Sequence, residues 1–187
     1  ANVIPLPKNK TIEEFNKDLL SISLTPALSK IAEEYVVQEH VKPAVLKHIR
    51  PDQYGSVPFS STKHALIYLL LATDVTGSEV RVILMDYKKA FDLTDHNLLM
   101  CKLESYGINP YILNWIHDFL SDRKQRVKLE NDIFSSWEEV STGVPQGSKL
   151  GPWLSLVMIN DLKIESSDGN AIFVDDTASF EIVDKQG

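Results

Sequence analysis

The sequence predicts a mixed α+β protein, and two features of the chain support this fold class. Several segments begin at helix-capping residues and then repeat apolar side chains every three or four positions. Between them lie short β-prone runs bounded by turn residues. The 187 residues are 43% apolar, enough for one sizeable domain or two small lobes. No apolar run approaches the roughly 20 residues that a membrane-spanning helix needs, so no membrane association is expected.

The first predicted helix follows Thr25-Pro26. A capping residue followed by proline at the first helical position is a typical helix start. The helical spacing continues through the apolar positions Leu28, Ile31, Ala32, Tyr35 and Val36. Ser60 or Ser61 is expected to begin a second helix, which is apolar along its length. Residues 79–86 then alternate as a strand does.

The second half of the chain predicts three helices and four strands. Asp95 begins a helix that ends at Gly107, and Asn109-Pro110 begins the next one. Residues 125–130 and 133–140 predict a hairpin across Asn131-Asp132. A further apolar helix is expected from Gly151-Pro152 to about residue 161, and two short strands are expected to meet at residues 175–176. Cys101, the single cysteine, falls in a helical pattern and is expected to be buried.

Charge is unevenly distributed along the chain. The net charge is −7, and residues 151–187 carry two basic against seven acidic side chains. Such a field favours a cation and repels phosphate unless a cation is present. A nucleic-acid-binding protein is usually basic, so the charge argues against strong unaided binding of nucleic acid.

Asp175 and Asp176 interrupt an apolar, β-prone run at its centre. Two carboxylates at a strand–strand turn are poor packing material but good ligands for a hard divalent cation. The same pair is also an ordinary turn signal, so it does not establish a metal site by itself.

Three short segments occur in a characteristic order. They are LMDYKKAFD at residues 84–92, GVPQGS at 143–148 followed by LGP at 150–152, and FVDD at 173–176. In this order and spacing they resemble the A, B and C motifs of reverse transcriptases, particularly those of non-LTR (LINE-like) retrotransposons. The likeness continues in DLTDH at 92–96, SYGI at 105–108, FLSDRKQRV at 119–127 and INDL at 159–162. We call residues 84–92, 143–148 and 173–176 the first, second and third motifs.

The resemblance implies the fingers and palm of a right-hand polymerase. Residues 1–78 would be the fingers-like part and residues 79–187 the palm-like part, with a fingers hairpin interleaved at about 120–142. The palm would be a small antiparallel sheet backed by helices. Because the chain ends about ten residues past the aspartate pair, a thumb is expected to be missing, and a protein partner or a second copy would cover the surface where it docks.

The resemblance also implies a two-metal site. Polymerisation joins a 3′-hydroxyl to an α-phosphate, and two Mg²⁺ ions roughly 3.5–4 Å apart stabilise both the attacking and the leaving oxygen. By resemblance, Asp86 and Asp175 would bridge the ions, Asp176 would assist, and the Tyr87 carbonyl would complete the coordination, with Mn²⁺ as an alternative ion. The competing interpretation is that all three aspartates only cap or form turns.

Other residues take expected roles from the same resemblance. Phe91 would reject a ribose 2′-hydroxyl, and the alternative is that it is a core aromatic. Gln146 and Gly147 would lie under the incoming nucleotide and the template, and the alternative is that they belong to a simple loop. Asp92 and Asp95 are interpreted as local caps.

The basic run on the predicted hairpin is the main candidate for contact with nucleic acid. Arg123, Lys124 and Arg126 are the residues expected to make that contact. A solvated strand edge is the alternative interpretation of this run.

The chain departs from the family pattern where the family carries arginines. Leu20, Val57 and Ser60 stand at those three positions, so bidentate guanidinium contacts to phosphate are lost. Lys8 and Lys10 are cations that could supply a point charge instead. Val174 stands where the family usually has alanine.

Two functional hypotheses follow. The first is an RNA-directed DNA polymerase domain of a retroelement, acting inside the cell in the cytoplasm or nucleus. It would act on an RNA template, a DNA primer and dNTPs, with weak or no processive synthesis by this chain alone. The second is a retroelement remnant kept as a non-catalytic binding or structural protein that binds divalent cations.

Overall fold

The computed structural model describes residues 1–8, 11–14, 18–76, 79–87, 89–162 and 169–183. It confirms the predicted mixed α+β fold, with a helical layer beside two β-sheets among the described residues. The expected division between residues 78 and 79 borders residues outside the described part, and it stays a prediction. Lys10 also lies outside the described residues.

The first sheet joins the N-terminus to the middle of the chain. Its strands are β1 (Asn2–Pro7), β2 (Leu19–Leu24), β4 (Arg123–Val127) and β5 (Glu138–Val140), in the order β2-β1-β4-β5. β1 pairs antiparallel with β2 and parallel with β4, and β4 pairs antiparallel with β5. The predicted hairpin is confirmed, although its first strand begins earlier, at Arg123, and its second strand is shorter than expected. Because β1 pairs with a strand far along the chain, local sequence patterns do not predict this sheet.

The second sheet carries the third motif. Its strands are β3 (Glu79–Met85), β6 (Gly169–Phe173) and β7 (Asp176–Val183), all antiparallel in the order β3-β7-β6. The pairing of Phe173 with Asp176 leaves Val174 and Asp175 as the two-residue turn of the β6–β7 hairpin. The expected meeting of two strands at the aspartate pair is confirmed, with the turn one residue earlier.

The helices before this sheet are α1 (Ala27–Val36), α2 (Lys42–His48) and α3 (Thr62–Thr76). A π-helical turn, Val37–Val41, connects α1 to α2 without a break. The first predicted helix is confirmed, but most of its predicted apolar face is exposed: Leu28 is 80% exposed, Ile31 66% and Tyr35 64%, whereas Val36 is buried. The opposite side of α1 faces the protein interior instead, where Glu33 is completely buried.

Three further helices complete the helical layer: α4 (His96–Ser105), α5 (Pro110–Leu120) and α6 (Gly151–Ile159). Two predicted caps are confirmed, because the Asp95 side chain accepts from the Leu98 amide and Asn109 accepts from the Tyr111 amide. The predicted Thr25 cap is wrong, because Pro26 occupies the N-cap position of α1 and no side chain of the described residues caps this helix. The Asp92 cap stays a prediction. Gly107 ends α4 with a φ of +76°, a conformation that favours glycine.

The core lies among α1, α2, α4, α5 and α6. Its fully buried side chains include Leu99, Leu103, Ile116, Leu154 and Leu156.

Cys101 is exposed, so the expectation of a buried thiol is wrong. Its position on α4 faces away from the core because Leu99 and Leu103 occupy the buried side. Within the described residues, no helix combines the length and apolar character that crossing a membrane requires.

Candidate functional site

A cavity of about 800 Å³ lies where the two sheets and the second motif meet. Five of the residues proposed from the sequence line it: Asp86, Tyr87, Phe91, Gln146 and Asp175. They come from all three motifs, which are separated by tens of residues along the chain. The folded chain therefore brings the centre of each motif to one concave surface.

The first and second motifs are connected by backbone hydrogen bonds. The Val144 amide donates to the Phe91 carbonyl (2.8 Å), and the Gly143 amide donates to the Thr94 carbonyl (2.8 Å). Gly143 has a φ of +82°, and a Cβ there would lie 2.6 Å from the Asp92 carbonyl oxygen. Only glycine permits both the conformation and this approach of two backbone segments. The contact fixes the second motif against the loop that carries Phe91.

Gln146 and Gly147 pack against the backbone of β2. The Ser23 amide donates to the Gln146 carbonyl (2.8 Å), and a Cβ on Gly147 would lie 3.0 Å from the Ser23 carbonyl oxygen. Gln146 is half-buried and faces the cavity, whereas Gly147 packs on the β2 backbone and does not line it.

Asp176 and the basic run do not line this cavity. Asp176 is exposed at the start of β7. Arg123 lines a smaller neighbouring cavity of about 300 Å³, which also includes Gln146. Lys124 forms an ion pair with Glu139 (3.3 Å). The roles assigned to these residues stay predictions.

Contacts with other residues of the protein hold the guanidinium of Arg126 in place. It lies 3.9 Å from the ring centre of Phe134 and 4.6 Å from that of Trp137, and its Nε donates to Asn2 (3.0 Å). Stacking on two aromatic rings and bonding to β1 orients the Arg126 side chain along the hairpin surface.

The cavity is mixed in charge. Asp86, Asp92 and Asp175 line it together with the cations Lys8 and Lys89. Of the three positions where the resemblance implies arginine, Leu20 lines the cavity, whereas Val57 and Ser60 do not. The wall that β2 contributes is therefore apolar at the position where a guanidinium is expected.

Asp175 is the electrostatically perturbed carboxylate of the site. Partial burial raises its pKa above the ordinary value near 3.8; the charges of Asp176 and Asp86 add to the rise, and a backbone hydrogen bond opposes it. The repulsion from Asp176 and Asp86 falls when a cation binds beside these carboxylates.

Replacing Asp175 with asparagine is expected to stabilise the metal-free protein at about pH 7 but not at about pH 3. With a raised folded-state pKa, the folded protein holds the proton more tightly than the unfolded chain does. Stability is therefore lost as pH rises from 3.8 through the folded-state pKa. Thermal melting of both proteins in EDTA at several pH values measures the difference. A melting-temperature difference that is the same at every pH would contradict this electrostatic assignment.

The donor set fits a divalent cation in its chemistry. Carboxylate oxygens of Asp86 and Asp175 are hard ligands of the kind that Mg²⁺ prefers, and both residues, with Tyr87, line the cavity. Among the described residues, no three His, Cys, Asp or Glu side chains form a group arranged to hold a metal ion. The fit therefore rests on two carboxylates of the cavity rather than on an assembled three-carboxylate cluster.

Glu33 is a buried residue of the site region that the sequence did not reveal. Its Oε2 accepts from the amides of Lys149 (2.7 Å) and Leu150 (3.2 Å), and its Oε1 accepts from the Ser29 hydroxyl (3.0 Å). The carboxylate thereby binds the backbone between the second motif and α6, near the positive end of the helix dipole. The sequence contains only a weak signal for the burial of Glu33. It lies three and four positions before Val36 and Val37, the spacing of one helix face, and both valines are buried.

Gln53 was also missed. It is 4% exposed, and its side chain bonds the backbone of Val174 in the β6–β7 turn. A glutamine in a loop between Asp52 and Tyr54 carries no sequence signal of burial, because its partner lies 121 positions away.

Comparison with known proteins identifies the family. A family model described as "Reverse transcriptase (RNA-dependent DNA polymerase)" matches residues 6–181. The chain is 30% identical over 166 residues to the probable RNA-directed DNA polymerase from transposon BS of Drosophila melanogaster. It is 28% identical over 145 residues to the one from transposon X-element of the same organism. These alignments cover 87% and 75% of the chain but only 18% and 16% of the relatives.

Solved structures show the same fold at low sequence identity. Telomerase from Candida tropicalis, truncated from its C-terminal domain, aligns with a TM-score of 0.53 at 14% identity over 87% of this chain and 40% of that one. Telomerase from Candida albicans in complex with a telomeric RNA fragment aligns with a TM-score of 0.56 at 13% identity, over 87% and 36%. The predicted fingers and palm architecture is thereby confirmed. Since the family match spans nearly the whole chain, this protein belongs to the reverse transcriptase (RNA-dependent DNA polymerase) family.

Proposed function

We propose that this chain is the fingers and palm part of an RNA-directed DNA polymerase of a retroelement, and that it carries the polymerising site in the cavity of about 800 Å³. One observation carries the proposal: residues from all three motifs, Asp86 and Tyr87, Phe91 and Gln146, and Asp175, line the same cavity. The named relatives support the retroelement assignment, since both are transposon polymerases. The LINE-like lineage remains a prediction.

The proposed substrates are a primed RNA template and dNTPs. A telomerase with this fold is in complex with RNA, which supports an RNA template here. Such substrates would place the reaction inside the cell, in the cytoplasm or nucleus. The chain spans less than a fifth of its transposon relatives, so a further segment or partner protein that holds the primer belongs to this proposal as well.

Asp86 and Asp175 would hold the divalent cations, with Asp176 assisting from the start of β7. Mg²⁺, or Mn²⁺ in its place, supplies positive charge beside the attacking and leaving oxygens of phosphoryl transfer. The protein's own contribution is to orient: the β3 end presents Asp86, and the β6–β7 turn presents Asp175 to the same cavity. Partial burial is the main cause of the raised pKa of Asp175, and a cation would relieve the smaller contribution from the charges of Asp176 and Asp86.

Phe91 and Gln146 would select and support the nucleotide. Phe91 packs partly against the helical core, and its carbonyl is bonded to Val144, so the ring has a fixed place in the cavity wall. A fixed ring beside the sugar excludes a 2′-hydroxyl by contact, which favours deoxynucleotides. Gln146 is anchored to β2 through Ser23 and would lie under the base.

The part of the cavity expected to bind the triphosphate offers weaker ligands for its target than the part expected to bind the metal ions. Leu20 contributes no charge, and among the described residues Lys8 and Lys89 are the cations that line this cavity. A lysine ammonium offers a point charge without the bidentate geometry of a guanidinium. We therefore expect a high KM for dNTPs and slow synthesis.

Primer extension on a primed RNA template with Mg²⁺ or Mn²⁺ and dNTPs tests the proposal. The purified chain should add a small number of nucleotides, and Asp175→Asn should reduce this extension by about a thousandfold or more, since it removes a charge that acts in the transition state. Asp118→Asn is the matched control, because that carboxylate is 87% exposed on α5. Extension that survives in Asp175→Asn would refute the site assignment.

A second candidate is a non-catalytic protein that binds divalent cations. The observation favouring it is Leu20 in the cavity wall, together with the exposed apolar residues Leu28, Ile31 and Tyr35 on α1, which a protein partner or second copy would cover. Mn²⁺ titration followed by thermal melting separates the two candidates. Stabilisation by Mn²⁺ that Asp86→Asn abolishes, without primer extension under any condition, would support the second candidate.

A further inference from the structure

The loop at residues 52–55 pairs with β6 directly before the turn that carries Asp175. The Tyr54 amide donates to the Ile172 carbonyl (2.7 Å), and the Ile172 amide donates to the Asp52 carbonyl (2.8 Å). This short parallel contact places Gln53 opposite Ile172, directly beside the turn. The loop thus adds a short stretch of backbone pairing to the second sheet, directly beside the β6–β7 turn.

The Gln53 side chain bonds both polar groups of the Val174 backbone. Its Oε1 accepts from the Val174 amide (2.9 Å), and its Nε2 donates to the Val174 carbonyl (3.3 Å). The same Oε1 accepts from the Gly55 amide (2.8 Å), which orients the side chain. A side-chain amide can both accept and donate, whereas a carboxylate only accepts and a thioether does neither with comparable strength.

Val174 needs this support because of its backbone conformation. Its φ is +59°, in the left-handed region that β-branched residues rarely adopt. Such a conformation is unfavourable for a β-branched residue and persists only where surrounding contacts hold it. The contacts that hold it are the Gln53 side chain and the close approach of Gly55, where a Cβ would lie 2.4 Å from the Val174 nitrogen. Asp175 is the next residue of the same turn, so whatever holds Val174 sets the position of the Asp175 carboxylate.

We propose that Gln53 is a positioning residue for Asp175, which clamps the Val174-Asp175 turn so that the carboxylate faces the cavity in a geometry that binds a divalent cation. Gln53 does not line the cavity, and it acts through Val174. The inference rests on the proposed function for the role of the cation, and on the hydrogen bonds above for the clamp.

Two substitutions remove the clamp in different ways. Gln53→Met keeps the length of the side chain but loses the amide, and Gln53→Asn keeps the amide but withdraws it by one methylene. In both variants the Val174 amide should exchange with solvent about tenfold faster, as expected for the loss of about one buried hydrogen bond. Affinity for Mn²⁺, titrated by electron paramagnetic resonance without substrates, should fall about tenfold, as when a partner that orients a metal ligand is removed.

Asn109→Ala is the matched control. Asn109 also accepts a backbone amide, at the N-terminus of α5, and does not line the cavity. It should lower the melting temperature by about 2–4 °C without changing Val174 exchange or Mn²⁺ affinity. Gln53→Glu keeps the acceptor but sets a carboxylate oxygen against the Val174 carbonyl, so Val174 exchange should also be faster than in the wild type.

Unchanged Val174 exchange in the folded Met or Asn variant would overturn the clamp, as would equal acceleration in Asn109→Ala. Faster exchange with unchanged Mn²⁺ affinity would overturn the positioning role. A wild-type chain that binds no Mn²⁺ would refute the metal part of the proposed function, while the exchange rates would still decide whether Gln53 holds the turn.

Discussion

Replacing Glu33 with alanine is expected to lower the free energy of unfolding by about 3–5 kcal/mol. The Glu33 side chain is fully buried, and its loss leaves the Lys149 and Leu150 amides without their partner. Each unsatisfied buried donor costs about 1–3 kcal/mol, and the vacated space adds a further penalty. Urea denaturation followed by circular dichroism measures the change.

Glu34→Ala is the control for Glu33, because it removes the same functional group from the next position of the helix. The Glu34 side chain is 43% exposed and pairs with the Lys149 ammonium (3.2 Å). A surface ion pair of this kind contributes little to stability because solvent screens it, so this variant should remain close to wild type. Equal losses in the two variants would mean that Glu33 does not bind the α6 start as described.

Replacing Glu33 should also change the candidate site, because its carboxylate bonds the backbone directly after Ser148. Losing it should loosen the second motif and, with it, the Gln146 side chain that faces the cavity. We expect the amides of residues 146–150 to show the largest increase in hydrogen exchange.

Replacing Gly55 with alanine is expected to destabilise the protein by about 3 kcal/mol. The new Cβ would lie 2.4 Å from the Val174 nitrogen and 2.8 Å from the Phe173 carbonyl carbon, and both are backbone atoms that cannot rotate away. The loop and the turn must separate, which also stretches the hydrogen bonds of Gln53 to Val174. Thermal melting should show a decrease of roughly 6–12 °C.

Gly107→Ala provides the comparison for Gly55. Gly107 has a φ of +76°, but no atom of the described residues beyond its chain neighbours lies within 4 Å of the position of its Cβ. Alanine there costs only the left-handed conformation, about 1–2 kcal/mol. A Gly55→Ala variant no less stable than Gly107→Ala would show that the loop and the third motif are not in tight contact.

Local signals in the sequence were sufficient for most of the secondary structure. Asp95 and Asn109 act as helix caps as predicted, because a cap depends only on residues within the next turn. The β6–β7 hairpin was predicted for the same reason, from a run of β-prone residues around a turn. Burial was predicted less well: Leu28 and Ile31 have core spacing yet are exposed, since spacing marks a face but not what covers it.

The candidate site was predicted in part. Ordered motifs identified Asp86, Phe91, Gln146 and Asp175, and all four line one cavity. Gln53 was not predicted, because a polar residue becomes buried only where distant backbone groups satisfy it.

By itself, the sequence determined the family, the fold class and the start of most helices, because motif order, helical period and caps are properties of neighbouring residues. Only the tertiary structure decided which carboxylates share a cavity and what holds them there. Glu33 bonds a backbone amide 116 positions away, and Gln53 bonds one 121 positions away. Contacts at such separations depend on how sheets and helices pack, and no local pattern along the chain specifies them.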